Sequence, residues 1–150
     1  IKLGANINIG YIPQELHFEN EELTILEEAR KFFIGEEQYL RAALTKFLFF
    51  GESIFKKIKL LSGGEKVRLK LFCLMQENYN LLVLDEVTNH IDIDTKEVLE
   101  EALKEYRGSI LFISHDRFFV NKLATRILSI ENNKLMSYVG NYDDYKRVRG

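Results

Sequence analysis

The residues of this sequence best suited to chemistry are two acids, Asp85 and Glu86, which close the apolar run Leu81-Leu82-Val83-Leu84. Burying a carboxylate without partners is costly, so acids at the end of a buried strand need a reason. One reading is that Asp85 holds Mg²⁺ through its water shell while Glu86 polarises an attacking water. The other is that the pair caps the following turn. His115, in Ile113-Ser114-His115-Asp116, closes a second apolar run, and Gln14, in Tyr11-Ile12-Pro13-Gln14, follows a third. A lone histidine reads first as a hydrogen-bonded structural residue, but a neighbouring strand end carrying Asp85-Glu86 favours a shared site.

A second feature is Leu61-Ser62-Gly63-Gly64-Glu65-Lys66. The usual phosphate loop, G-x-x-x-x-G-K-[ST], does not occur anywhere in the sequence. Yet paired glycines remove the side chains that block close approach, and the amides and dipole of a helix start favour an anion. The alternative is a tight capped turn between two helices, since Ser62 and Glu65 have the spacing of a capping box.

These groups need elements to position them. Residues Ile7 to Ile12 are β-rich and run into Pro13, which ends ladder pairing. From Thr24 to about Phe50 the apolar spacing turns helical, with Ile25, Ala29 and Phe32 or Phe33 on one face and Leu40, Leu44 and Leu48 on another. A helix is predicted from Gly63 to about Gln76, with Val67, Leu71, Leu74 and Met75 inward. The run from Leu81 suits a strand buried on both faces of a parallel sheet. Asp94 to Tyr106 reads as a helix in which Asp94 and Glu97 form the cap pair and Val98, Leu99, Ala102, Leu103 and Tyr106 form the apolar stripe. Ser109 to Ile113 is a further buried strand, Ile127 to Ile130 and Leu135 to Val139 are two more, and a short helix follows Gly140-Asn141. Strand, helix, strand with functional groups at the strands' C-terminal ends is how open α/β sheets place ligands.

With 150 residues, 46% apolar and 29% charged, the chain has enough material for one core. A net charge of -2 and a pI near 6.0 provide no global basic field, so any nucleic-acid contact must be local. Nothing reads as a signal peptide, and no apolar run approaches the roughly 18 residues needed to cross a bilayer; a soluble, cytoplasmic protein is expected. Cys73, within Leu71-Phe72-Cys73-Leu74-Met75, reads as a buried small hydrophobe. The start at Ile1, without methionine and on the approach to a strand, reads as the edge of a fragment.

The ordered set "YIPQE", "LSGGE", "LLVLDE", "TNHID" and "SHDR" resembles the ATP-binding cassette (ABC) ATPases, in the order Q-loop, signature, Walker B, D-loop and H-loop, over essentially the whole chain. Within them "TNHID", "SHDRFF" and "YVGNYDDY" look most like the soluble ABC-F group, whose members carry two cassettes on one chain and typically act on ribosomes in translation or antibiotic resistance. The resemblance implies an α/β fold: part of a P-loop NTPase domain, with a core strand and Q-loop over 1-15, a helical subdomain carrying the signature over 16-76, and half of a RecA-like parallel-sheet core over 77-150.

It also implies roles. Gln14 would contact Mg²⁺ and the attacking water, Asp85 would be the Walker B aspartate, Glu86 the general base and His115 the γ-phosphate switch. Ser62, Gly63 and Gly64, with Glu65 completing the stretch, would bind ATP held by a partner cassette, and Asn89 and Asp92 would line the cassette interface. Val87 stands where the family usually has proline, which should loosen the turn after the base. Walker A, with its phosphate-binding lysine, would lie before Ile1, so the fragment alone is expected to bind ATP weakly and hydrolyse none. The short separation of Q-loop and signature, Glu15 to Leu60, leaves little room for an inserted arm and favours the second cassette. Lys56, Lys57 and Lys59 have the chemistry to touch ribosomal RNA phosphates, although a solvated face is the plainer reading. A membrane transporter's ATP-binding subunit and a non-catalytic interaction module are the alternative functions.

Overall fold

A computed structural model describes residues 4-150. The strand predicted from Ile7 begins at Ile9: β1 spans Ile9–Ile12 and pairs in parallel with β2, Leu81–Asp85, which pairs in parallel with β3, Ser109–Ile113. β2 is therefore the central strand, and Gln14, Glu86 and His115 all follow the same end of adjacent strands.

Between β1 and β2 lies the helical region. α1, Ile25–Arg30, starts at a Thr24–Glu27 capping box, and α2 spans Glu37–Thr45. Two 3₁₀ turns, Gly51–Phe55 and Ile58–Leu60, lead to α3, Gly63–Met75, whose N-cap is Ser62. Ile25, Ala29, Leu40 and Leu44 are buried as their spacing requires, but Leu48 is exposed. The helix stops before it: Leu48 adopts φ 61°, and the bonds from the Phe49 amide to the Leu44 carbonyl and from the Leu48 amide to the Thr45 carbonyl form a Schellman closure.

α3 packs against β1 and against α4, Ile93–Glu105. Val98, Leu99, Ala102 and Leu103 of α4 are buried as predicted. Its cap differs from the expected Asp94–Glu97 pair. Asp92 is the N-cap, one oxygen accepting from the Thr95 amide and the other from the Thr95 hydroxyl, both at 2.8 Å.

The strands are also less covered than expected. On β2 only Leu82 and Leu84 are buried, while Leu81, Val83 and Asp85 are half-buried. Along β3 no residue is fully buried, and Leu111 and Ile113 are 48% and 59% exposed. Helices cover one face of this sheet, and the outer edge of β3 has no strand partner among the described residues. α5, Arg117–Leu123, follows, and then an antiparallel hairpin of β4, Arg126–Glu131, and β5, Lys134–Val139. Asn132 and Asn133 close the hairpin with positive φ at both positions, the backbone that a two-residue turn with this twist requires. The last element, α6, spans Tyr142–Arg149 and is capped by Asn141.

Candidate functional site

Glu86 is the centre of the site because three side chains converge on its carboxylate. Gln14 Nε2 donates to Oε2 at 3.3 Å, Asn89 Nδ2 donates to the same oxygen at 2.5 Å, and His115 Nε2 lies 3.0 Å from Oε1. Each arrives from a different strand end or the turn after it, so the parallel register is what assembles them.

The backbone at Glu86 is unusual. Its φ is 51°, its amide donates to the Ile113 carbonyl of β3 at 2.9 Å, and its carbonyl accepts from the Asn89 amide at 3.1 Å. A non-glycine residue in this region is costly unless its surroundings fix it. Here the turn aims the carboxylate past the strand end toward Gln14 and His115. Val87 is buried within this turn. The turn is thus closed by hydrogen bonding and packing, which counters the loosening expected without proline.

Sequence reading missed three interactions that hold the site. The Thr88 and Ser114 hydroxyls lie 2.7 Å apart and tie the turn after β2 to the end of β3. Asp116 accepts from the Phe118 and Phe119 amides and pairs with Lys96 at 2.6 Å, fixing the start of α5 beside His115. Lys66 pairs with Glu21 at 2.9 Å. Thr88, Ser114 and Asp116 lie inside the motifs themselves, and that placement was the available signal; Lys66–Glu21 is separated by 45 positions and had none.

The helix start at Ser62 forms the predicted box: Ser62 Oγ accepts from the Glu65 amide at 3.2 Å and Glu65 Oε2 accepts from the Ser62 amide at 2.7 Å. Burial pushes the Glu65 carboxyl up, but the Ser62 amide and the Lys56 ammonium outweigh it and hold the group below its ordinary value. The two glycines differ. A methyl group on Gly63 would meet nothing within 4 Å, whereas on Gly64 it would stand 3.1 Å from Thr95 Oγ1 and 3.2 Å from Asp92 Oδ2. Gly63 is therefore the open glycine, and Gly64 is needed for the approach of α3 to the cap of α4. Asp92, expected at an interface, is engaged in that cap.

A cleft of about 420 Å³ is lined by Gln14, Gly63, Lys66, Glu86, Asn89 and His90 among others, so the open glycine and the central carboxylate border one depression of this chain. Asp85 stands one residue before Glu86, and among the described residues no group donates to its carboxylate. No cluster of three or more metal-ligand side chains occurs among the described residues. A carboxylate with no such donor suits Mg²⁺ held mainly by water and phosphate oxygens, the usual coordination of that ion. Lys56, Lys57 and Lys59 are each paired, with Glu65, Glu22 and Glu22, which supports the solvated-face reading of that cluster.

A protein-family profile described as ABC transporter matches residues 4–89. The Bacillus subtilis protein YdiF is 44% identical over 146 residues, covering 97% of this chain and 23% of that protein. The Escherichia coli O157:H7 protein YbiT is 43% identical over 154 residues, with 100% and 29% covered. ABC transporter F family member 2 of Arabidopsis thaliana is 41% identical over 120 residues, with 80% and 17% covered. This chain thus spans less than a third of the length of each. Among solved structures, the archaeal ribosome recycling factor aABCE1, in complex with the ribosomal stalk protein aP1, superposes with a TM-score of 0.74 at 18% identity, covering 99% of this chain and 31% of that one. A bacterial Atm1-family ABC exporter with ATP bound gives the same TM-score at 20% identity, covering 95% of this chain and 26% of that one. At these identities the structural likeness establishes the fold.

Proposed function

The chain belongs to the ABC transporter ATPase family, with ABC-F homologues over most of its length, and from that premise we propose that it is the C-terminal part of an ATP-hydrolysing cassette, the second of two. The observation that carries this reading is the convergence of Gln14, Asn89 and His115 on the Glu86 carboxylate.

In this mechanism Glu86 accepts a proton from the water that attacks the terminal phosphorus of ATP. Gln14 and Asn89 hold one of its oxygens, which orients the other toward the water and toward His115. His115 is 80% exposed at the side chain, so it is free to meet the γ-phosphate. Asp85, with the Gln14 amide, would hold Mg²⁺, whose charge neutralises the phosphates when it is bound. Such transfers rely on positioning and charge stabilisation, and that is what these side chains offer. The open Gly63 and the amides beginning α3 suit an anion, which we assign to ATP seated on a partner cassette.

Half of a parallel-sheet core is supported by an apolar groove of about 440 Å³ between β3 and β4, lined by Leu111, Ile113, Ile127 and Leu128 among others. The phosphate-loop pattern G-x-x-x-x-G-K-[ST] does not occur in residues 1-150, and on our reading these residues alone hydrolyse no ATP. Ribosome binding is the finer reading, supported by the ABC-F motifs and by 41% identity to an F-family member. No helix among the described residues is long and apolar enough to cross a membrane.

The test is ATP turnover by the full-length polypeptide that contains this chain, with and without Mg²⁺, alongside Glu86→Gln, and co-sedimentation of that variant with ribosomes in ATP. Mg²⁺-dependent turnover lost in Glu86→Gln supports the catalytic reading, and unchanged turnover removes Glu86 from it. Failure of the variant to pellet with ribosomes in ATP would remove the ribosomal reading.

A further inference from the structure

The segment that follows Gln14 is stapled to the segment that leads into α3. The Ile58 amide donates to the Leu23 carbonyl at 2.9 Å, the Lys59 amide to the Glu21 carbonyl at 3.0 Å and the Ile25 amide to the Lys56 carbonyl at 3.1 Å. Thr24 and Lys57 form an antiparallel bridge. Ion pairs run across the same seam. Those of Glu22 with Lys57 and Lys59 are surface pairs with both partners roughly half exposed, and contacts of that kind contribute little.

Lys66–Glu21 differs in burial and in place. Its side chains are 20% and 35% exposed. Glu21 lies on the segment that follows Gln14, and Lys66 lies one turn into α3, its amide donating to the Ser62 carbonyl at 2.9 Å. Lys66 also lines the cleft shared by Gln14, Gly63 and Glu86. Neither charged group touches the Glu86 carboxylate. Their pairing ties the start of α3 to the loop that carries Gln14, so that displacement of one is passed to the other.

We infer that Lys66 and Glu21 are positioning residues that hold the Ser62-Gly63-Gly64 helix start in register with Gln14. The inference rests on the reading of those two elements as ATP contacts. Removing either charge releases the register while leaving Gln14, Ser62, Gly63 and Glu86 in place.

The experiment uses the full-length polypeptide, with Lys66→Glu, Glu21→Lys and the double charge swap Glu21→Lys/Lys66→Glu. Each single variant is expected to lose about fivefold in kcat, with KM for ATP within about twofold and a melting midpoint lowered by no more than about 4 °C, the shift that loss of an ion pair of this burial implies. The swap is expected to recover most of the loss, the coupling that a double-mutant cycle isolates. Full turnover in the single variants, or a swap no better than the singles, overturns the inference. A wild-type protein without ATP turnover overturns instead the proposed function. A second readout, hydrogen exchange, then addresses the register alone: in Lys66→Met the amides of 15-20 and of 62-66 should both exchange faster while α4 is unchanged, and unaltered exchange at 15-20 overturns the inference.

Discussion

His115 Nε2 and Glu86 Oε1 face each other at 3.0 Å across the ends of two paired strands, while the other Glu86 oxygen is claimed by Asn89 and Gln14. A carboxylate with one oxygen anchored and the other turned to an exposed imidazole is oriented in the way a general base is. Replacing His115 by Ala leaves that anchor intact, whereas Glu86→Gln removes the proposed base. We expect Glu86→Gln to lower kcat of the full-length polypeptide by roughly 10²–10⁴-fold with ATP binding retained. His115→Ala should lower it less. Single-turnover kinetics with filter-bound ATP separates the two, and a larger loss in His115→Ala would reverse the assignment.

Gly63 and Gly64 should respond oppositely to a methyl group. At Gly64 the added carbon meets the Asp92–Thr95 cap at 3.1–3.2 Å, and forcing atoms into packed positions costs about 1–3 kcal/mol. At Gly63 it meets nothing within 4 Å, so Gly63→Ala should leave stability unchanged or raise it by up to about 1 kcal/mol through helix propensity. Gly63→Ala nevertheless places a methyl group on the open side, where it should weaken ATP-dependent association of cassettes. Urea melts and ATP-dependent association measured on both variants decide the matter.

The sequence made the site more legible than its setting. Ser62 and Glu65, the ends of β2 and β3 and the stripe of α4 were all readable because each is decided within one turn or one strand. The cap of α4 was misread because Asp92 and Asp94 both have a polar partner three residues on, and only Thr95 can satisfy both Asp92 oxygens at once. The incomplete cover of β2 and β3 was unreadable for another reason: an apolar strand looks the same whether or not its second face is covered. Lys66–Glu21 depends on chain segments brought together only by folding.

Leu48 is a leucine in a glycine's place. It holds φ 61° at the Schellman position after α2, and its side chain is 38% exposed. Left-handed backbone costs a non-glycine residue roughly 1–2 kcal/mol, and only the buried part of the side chain can offset that. Leu48→Gly should therefore be neutral or stabilise the protein by up to about 1 kcal/mol, while Leu48→Val should destabilise it, because a branched Cβ fits this region worse. Thermal melts of the two variants give the comparison.

Cys73 should be inert in the folded protein. Its side chain is buried at 2% exposure, and burial pushes the thiol up to about 12, so almost no thiolate exists at neutral pH. Reaction with Ellman's reagent at pH 8 is expected only at the rate of unfolding and to become fast in denaturant. Fast labelling of the native protein would contradict the packing of α3.

Acid should act on the start of α5. The Lys96 ammonium, and after it the Phe119 and Phe118 amides, hold the Asp116 carboxyl below its usual 3.8 against an opposing effect of burial. Its pKa is lower folded than unfolded, so the stabilisation is fully present above the unfolded value and is lost as pH falls through the folded one. Asp116→Asn removes the charge that Lys96 pairs with while keeping an acceptor for the cap. We expect this variant to be less stable at pH 7 by on the order of 1 kcal/mol and to converge on the wild type as pH drops below the usual carboxylate value. Urea melts of the two proteins at pH 7 and pH 3 test this. A difference that persists undiminished at pH 3 would show that Asp116 acts through its shape and not its charge.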